Sequence, residues 1–116
     1  MTDPTCLFCK IAAGDIPSDI VHEDDEMIAF NDINPVAPVH QLLIPRRHIV
    51  SAADLTEEDG PLLGRLFSVG ARLAADAGLT ERGYRLVTNI GADGGQSVAH
   101  LHIHLLGGRL FAWPPG

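Results

Sequence analysis

The sequence is poor in basic residues and in cysteine, and each shortage excludes a class of protein. Eight lysines and arginines stand against 15 aspartates and glutamates, so the formal net charge is −7. Binding to a nucleic-acid backbone depends on clustered Lys and Arg, so we do not expect a nucleic-acid partner. The only cysteines, Cys6 and Cys9, form one C-x-x-C motif. In a reducing compartment this motif indicates a metal site or a redox pair rather than a structural disulfide.

Long apolar runs are also missing. The N-terminal residues lack the basic start and the apolar stretch of a signal peptide, and no run of eighteen apolar residues occurs. We therefore expect a cytoplasmic protein without a membrane partner. The length of 116 residues and the hydrophobic fraction of 46% predict one globular domain over residues 1–116. A core of this size gives limited stability, which favours a homodimer.

The hydrophobic pattern predicts two helices and five strands in the order αβββαββ. The helices are predicted over residues 6–13 and from the Thr56 cap to Gly78, and the strands over 20–22, 27–30, 40–45, 84–89 and 100–106. Short turns between most strands, with one long and one short helix, predict an α+β fold with a five-stranded antiparallel sheet. His22, which precedes four acidic residues, is predicted to lie at the surface.

Three of the six histidines alternate with aliphatic residues near the C-terminus. His100, His102 and His104 are separated by Leu101 and Ile103. In a strand this spacing places the three imidazoles on one face and the aliphatic side chains on the other. A single histidine is usually a hydrogen-bonded or surface residue, but three in register indicate function. The glycine-rich turn before them offers N–H groups and a hydroxyl to an anion.

These residues resemble the signature of the histidine-triad nucleotide-binding proteins. The resemblance rests on GGQSVAHLHIHLLGGR over residues 94–109 and WPPG over 113–116. It extends back through YRLVTN over 84–89, APVHQLLIPRRH over 37–48 and IAFNDI over 28–33, and so covers nearly the whole chain. The family fold agrees with the predicted αβββαββ order.

The resemblance implies a homodimeric hydrolase of purine nucleoside 5′-phosphoramidates that needs no catalytic metal. His102 corresponds to the nucleophile, which forms a covalent nucleotidyl-imidazole intermediate. His104 and His40 correspond to residues beside the phosphate, and Ser97 to one near the leaving group. Asp32 matches the residue that binds the ribose hydroxyls. The other residues implied at the nucleotide site are Leu7, Phe8, Ile11, Phe30 and Ile33 in an apolar slot for the base, and Asn89, Gly95, Gln96 and Trp113.

The resemblance also gives the C-x-x-C motif two partners. In many members such a pair binds zinc together with two histidines, which correspond here to His48 and His100. Cys6, Cys9, His48 and His100 then form a closed structural site. The alternative is that the two cysteines pack as small apolar residues.

Three other functions remain open from the sequence. The chain is alternatively a nucleotide-binding regulatory scaffold with weak hydrolysis, or a dinucleoside polyphosphate hydrolase. A third hypothesis makes His100, His102 and His104 the ligands of a catalytic metal. For the tail, the resemblance implies that Trp113 lies near the active site of the partner subunit.

Overall fold

Five strands form one antiparallel sheet in the order β1-β2-β3-β5-β4. In this computed structural model, which describes residues 2–116, the strands are β1 (Ile20–Glu23), β2 (Met27–Asn31), β3 (Val39–Pro45), β4 (Tyr84–Val87) and β5 (Ile103–Gly107). The helices are the short α1 (Leu7–Ala12) and the long α2 (Gly60–Asp76). The α+β fold predicted from the sequence, with its αβββαββ order, is therefore confirmed.

Local side-chain contacts explain where the two helices begin. Cys6 precedes α1, and its Sγ accepts the main-chain N–H of Cys9 at 3.4 Å. Thr56 and Asp59 form a capping box around a short 3-10 helix, Glu57–Asp59, that leads directly into α2. Such reciprocal bonds satisfy N–H groups that have no partner inside the helix.

The sheet has two different faces, because alternate residues of each strand point in opposite directions. On the face toward α2, Leu43 and Leu105 are fully buried against Leu66, Val69 and Leu73 of that helix. On the other face, which we call the α1 face, Phe30 and Leu42 form a smaller core. The remaining buried members of this core are Phe8, Ile11, Ile28 and Ile44.

Strand pairing places the functional residues on the α1 face. Leu42 of β3 lies opposite Phe30 of β2 and opposite His104 of β5. His40, two residues before Leu42, lies opposite Leu106. Residues paired in this way project from the same face of a sheet. The α1 face therefore carries an apolar region over β2 and histidines over β3 and β5.

The last strand is shorter than predicted at its start. β5 begins at Ile103, so His100 and His102 lie in the segment before it. The main-chain N–H of Leu101 donates to the Ile49 carbonyl at 2.6 Å. This bond links the segment to the chain after β3, but it is not part of the regular strand pairing. The predicted alternation still holds, since Leu101 and Ile103 are buried in the core beside α2.

His22 is not the surface residue that the sequence predicts. Its side chain is only 13% exposed, and Nε2 lies 2.8 Å from Asp24 Oδ2. Nδ1 accepts a hydrogen bond from Arg72 of α2 at 2.7 Å. The acidic turn after His22 is therefore tied to the long helix and is not freely solvated. Within residues 2–116, no helix has the length and apolar character needed to cross a membrane.

Candidate functional site

A cavity of about 460 Å³ opens on the α1 face between α1, β2, β3 and the segment that leads into β5. Most of the residues predicted for catalysis and nucleotide binding line it: Leu7, Phe8, Ile11, Phe30, Asp32, Ile33, His40, Ser97, His102 and His104. Asn89, Gly95, Gln96 and Trp113 do not belong to this lining. The structure therefore brings together an apolar end, a carboxylate and three imidazoles.

One ring nitrogen of His102 is hydrogen-bonded to the main chain, and the other is free. Nδ1 lies 2.7 Å from the main-chain carbonyl oxygen of His100. A carbonyl only accepts, so Nδ1 carries the proton and Nε2 keeps its lone pair when the ring is neutral. Phe8 of α1 packs edge-on against the ring, with centroids 5.1 Å apart. The carbonyl and the phenyl ring together fix the tautomer and the orientation of an imidazole that lines the cavity.

The tautomers of His40 and His104 are set by a chain of hydrogen bonds. The main-chain N–H of Val36 donates to His40 Nδ1 at 3.1 Å, so neutral His40 carries its proton on Nε2. His40 Nε2 lies 2.9 Å from His104 Nδ1 and donates to it. His104 is then left with its proton on Nε2. The main-chain N–H of Val36 thus fixes the tautomers of both rings. As a result, His104 presents an N–H donor beside the His102 ring.

Burial keeps these two imidazoles neutral. Burial lowers the pKa of His104 to about 4, and the neighbouring rings of His102 and His40 add to the effect. Burial also lowers the pKa of His40, although the carboxylate of Asp32 opposes the shift from 3.4 Å. At neutral pH His104 therefore acts as a hydrogen-bond donor rather than as a cation.

The apolar end of the cavity suits a flat ring. Phe8 and Phe30 meet edge to face with centroids 5.7 Å apart, and both are buried. Ile33, by contrast, is 88% exposed at the rim, where it is free to cover a bound group. Asp32 stands between this apolar end and the histidines, with Oδ1 accepting the main-chain N–H of Asn34 at 2.8 Å.

Two of the predicted residues, Gln96 and Trp113, lie outside this cavity. Gln96 braces the glycine-rich turn: its Oε1 accepts the Gly91 N–H, and its Nε2 donates to the carbonyl oxygens of Val50 and Val98. Its amide is therefore engaged with main chain outside the cavity. Trp113 is 84% exposed in the C-terminal tail.

Several lining residues were not predicted from the sequence: Ile16, Pro17, Ser18, Asn31, Asn34, Val36, Leu42 and Val98. The period of two in β3 carried the signal for Leu42, because this residue shares a face with His40. The loop residues gave no such signal.

A second cluster lies at the start of α1. Sγ of Cys6, Sγ of Cys9, Nδ1 of His48 and Nδ1 of His100 all lie within 4.8 Å of one another. His100 Nε2–H donates to the Pro45 carbonyl at 2.8 Å, so Nδ1 of the neutral ring keeps its lone pair toward the two sulfur atoms. Two cysteines and two histidines with free donor atoms match the ligands of closed structural zinc sites. The residues present therefore fit such a metal.

The three alternating histidines do not share one metal site. His100 Nδ1 faces the cysteines, whereas His102 Nδ1 is bound to a carbonyl. Among the described residues, the second group with metal-ligand spacing is Asp32, His40 and His104. The hypothesis that His100, His102 and His104 bind a catalytic metal is therefore wrong for this arrangement.

Comparison with known proteins agrees with the fold. Residues 5–110 match the family model described as scavenger mRNA decapping enzyme C-term binding. An uncharacterized HIT-like protein of Synechococcus elongatus is 54% identical over 110 residues, which are 95% of this chain and 96% of that protein. The chain belongs to the histidine-triad (HIT) family. Protein HitA of Neisseria gonorrhoeae is 50% identical over 88% of this chain and 94% of its own length.

Solved HIT structures superpose closely on this one. A HIT family hydrolase from Legionella pneumophila has a TM-score of 0.95 and 51% identity, with 97% of this chain and all of that chain covered. A histidine triad protein from Clostridium difficile has a TM-score of 0.93 and 43% identity over 97% of both chains. The HIT fold therefore extends over almost the whole chain.

Proposed function

We propose that this HIT protein hydrolyses purine nucleoside 5′-phosphoramidates, releasing a nucleoside monophosphate and an amine. The observation that carries the proposal is the hydrogen bond from His102 Nδ1 to the His100 carbonyl, which leaves Nε2 as a nucleophile in the cavity. Hydrolase activity is also consistent with the names of the structures from Legionella pneumophila and Clostridium thermocellum, each called a HIT family hydrolase.

Binding follows from the order of the groups along the cavity. The purine packs against Phe8 and Phe30 at the apolar end of the cavity, and the ribose hydroxyls donate to the carboxylate of Asp32. This places the phosphate against His102 and His104, with the Ser97 hydroxyl nearby. The N–H on His104 Nε2 then donates to a phosphate oxygen, an interaction that strengthens as negative charge grows in the transition state.

Two displacements complete the reaction. Nε2 of His102 attacks the phosphorus and the P–N bond breaks, which attaches the nucleotide to the imidazole. The bridging nitrogen takes up one proton from solvent and leaves as the free amine. The attached ring is positively charged, and the His100 carbonyl stabilises it because a charge-assisted hydrogen bond is stronger than a neutral one. Water then attacks the phosphorus and gives up one proton to solvent, which balances the proton taken up by the amine. His102 leaves as the neutral imidazole that began the cycle.

The cysteine and histidine cluster supports a structural role for zinc in this proposal. Cys6, Cys9, His48 and His100 would hold the ion, which would supply a crosslink between α1, the segment after β3 and the segment before β5. Because the four side chains leave no position for substrate, the hydrolytic chemistry is assigned to the histidines in the cavity.

A panel assay tests the proposed activity. The purified protein should release AMP or GMP from nucleoside 5′-phosphoramidates faster than it cleaves dinucleoside polyphosphates, and His102→Ala should be inactive on every substrate. Faster cleavage of the dinucleotides would replace the phosphoramidate assignment with the dinucleoside polyphosphate alternative. Binding of nucleotides without any turnover would favour the regulatory scaffold.

A further inference from the structure

A second cavity, of about 520 Å³, adjoins the cavity that contains the three imidazoles. The two cavities meet at Leu7, Ser97 and Val98, which line both of them. We call the second cavity the side groove, and its other lining residues are Asp3, Thr5, Cys6, His48, Val50 and Ala99. Volumes of this size are typical of sites for small molecules. A ligand in the first cavity that extends past Ser97 therefore enters the side groove.

The proposed binding of the nucleotide leaves the Ser97 end of the first cavity to the leaving amine. The base packs against Phe8 and Phe30. The ribose binds Asp32, and the phosphate lies against His102. Ser97 corresponds to the residue near the leaving nitrogen, and it belongs to the lining of both cavities. A substituent on that nitrogen is therefore placed at the entrance of the side groove.

Apolar side chains form much of the side groove. Leu7 and Val50 are large aliphatic residues, yet they are 46% and 45% exposed. Nε2 of Gln96 donates to the carbonyl oxygens of Val50 at 2.7 Å and of Val98 at 3.0 Å, which holds two of the walls together. Covering exposed apolar surface is favourable in proportion to the area removed from water. The side groove therefore suits an aliphatic chain.

Asp3 gives the side groove a negative charge, and neither lysine nor arginine belongs to the lining. The Thr5 hydroxyl and main-chain N–H both donate to Oδ1 of Asp3, at 2.7 and 2.9 Å. These bonds orient the carboxylate and lower the pKa of Asp3. Neither bond uses Oδ2, and within residues 2–116 no lysine or arginine forms an ion pair with Asp3. The neighbouring thiolates of Cys6 and Cys9 would balance the charge of a bound Zn²⁺. The Asp3 carboxylate is therefore available to a cationic ligand.

From these observations we infer that the side groove binds the substituent of the leaving amine, and that Asp3 selects amines whose aliphatic chain ends in a cation, such as aliphatic diamines. The inference rests on the proposed function. The apolar walls contact the methylene groups, and the carboxylate pairs with the terminal ammonium group. A single ion pair at a partly exposed site contributes a modest free energy, so the result is a preference among amines rather than an absolute requirement.

The test uses adenosine 5′-phosphoramidates of three diamines of increasing length: ethylenediamine, putrescine and hexamethylenediamine. Each is compared with the conjugate of its uncharged isostere, propylamine, pentylamine or heptylamine, in which a methyl group replaces the terminal ammonium group. The measured quantity is the ratio of kcat/KM for the diamine conjugate to kcat/KM for its isostere. For the chain length that best fits the groove, Asp3→Asn should lower this ratio about threefold to fivefold. Comparison between proteins cancels the intrinsic difference between the amines.

Two further variants control for charge and fold. Asp3→Lys reverses the charge and should lower the ratio further than Asp3→Asn does. Asp76→Asn removes an exposed carboxylate at the end of α2, on the other face of the sheet, and should leave the ratio unchanged. Asparagine keeps the main-chain N–H that Asp3 donates to Cys9 Sγ at 3.4 Å, so zinc content should stay at the wild-type level in Asp3→Asn. The same ratio in wild type and Asp3→Asn at all three chain lengths would overturn the inference, and so would an equal fall in Asp76→Asn.

Binding separates this inference from the proposed activity. Calorimetry with His102→Ala, with and without Asp3→Asn, gives the Kd of each diamine conjugate and of its isostere without turnover. If the wild type cleaves no conjugate but Asp3 still favours a diamine conjugate about threefold in binding, the phosphoramidase assignment fails and the role of the side groove stands. If the conjugates are cleaved but Asp3 alters neither the kcat/KM ratio nor the Kd ratio, the activity stands and the role of the side groove is rejected.

Discussion

His100 links the two functional clusters of this protein through different atoms of one residue. Its main-chain carbonyl accepts the His102 Nδ1 proton at 2.7 Å, while its own Nδ1 lies 3.3 Å from Cys6 Sγ and 3.3 Å from His48 Nδ1. The metal-ligand cluster therefore holds the segment that fixes the tautomer of the proposed nucleophile. Further bonds hold this segment independently of any metal, including the Leu101 N–H to the Ile49 carbonyl at 2.6 Å.

We predict that one zinc ion copurifies with each chain and that Cys9→Ser lowers both the zinc content and the melting temperature. Cys9 is only 4% exposed, and loss of its ligand removes metal-binding free energy from the folded state. The melting temperature should fall by about 10 °C or more, whereas kcat should change less because the His100 carbonyl belongs to the main chain. Elemental analysis and calorimetry measure these effects. Protein prepared without chelator that holds no metal would favour the packing role of the cysteines.

His102→Ala should abolish turnover while leaving AMP binding largely intact. In the proposed binding mode the base and the ribose contact Phe8, Phe30 and Asp32, none of which depends on the His102 ring for a hydrogen bond. We expect kcat to fall by about three orders of magnitude or more, with the Kd for AMP within a few fold of the wild-type value. His102→Asn, which keeps an N–H donor toward the His100 carbonyl, should be equally inactive. A variant with near wild-type kcat would remove His102 from the nucleophilic role.

The stability of the protein should decrease as the pH falls from 6.5 toward 4. Burial, together with the rings of His102 and His40, lowers the pKa of His104 to about 4 from 6.5. Between these values the unfolded chain binds a proton at this residue and the folded chain does not, so acid favours unfolding. Urea denaturation at several pH values should show a weaker dependence in His104→Gln than in the wild type. Equal slopes for the two proteins would show that His104 does not titrate in this window.

Asp24 should resist protonation and stabilise the contact between the β1–β2 turn and α2. Burial raises its pKa, but hydrogen bonds from His22 and from the main-chain N–H groups of Glu26 and Met27, with the charge of Arg65, outweigh this and lower the pKa to about 2. Asp24→Asn should destabilise the fold by about 1 to 2 kcal/mol at neutral pH. The matched change Asp25→Asn, at an exposed position, should have little effect. Equal denaturation midpoints would contradict the role of Asp24.

The remaining prediction concerns the oligomeric state and the C-terminal tail. We predict a two-fold symmetric dimer in which Trp113, 84% exposed in the single chain, lies near the substrate site of the partner. Trp113→Ala should then change the ranking of kcat/KM across a series of amine leaving groups more than it changes the melting temperature. Sedimentation that shows a monomer at assay concentration, or an unchanged ranking, would rule out this role.

Much of the fold and site could be read from the sequence because the signals are local. The period of two in 100–105 separates the histidines from the core residues Leu101, Ile103 and Leu105 whether or not a regular strand forms. The family motif brought Cys6 and Cys9 together with His48 and His100, and the structure places their ligand atoms within reach of one metal ion.

What the sequence missed depends on contacts between distant segments. The register of β5 against β4, which brings Arg85 into line with His40, has no local signal. His22 looks like a surface residue because its neighbours are acidic, yet Arg72, fifty positions away, covers it. The family motif predicts Gln96 at the nucleotide site, but it carries no signal for the contacts of the Gln96 amide with the main chain of Gly91, Val50 and Val98.

The stereochemical outcome at phosphorus tests the central claim most directly. A P-chiral adenosine 5′-phosphoramidothioate, hydrolysed by the wild-type protein in ¹⁸O-water, yields a labelled product whose configuration can be read by ³¹P NMR. Attack by His102 followed by attack by water gives two in-line displacements, and the account predicts net retention of configuration. Net inversion would show that water attacks the phosphorus directly, and would contradict a covalent nucleotidyl-His102 intermediate.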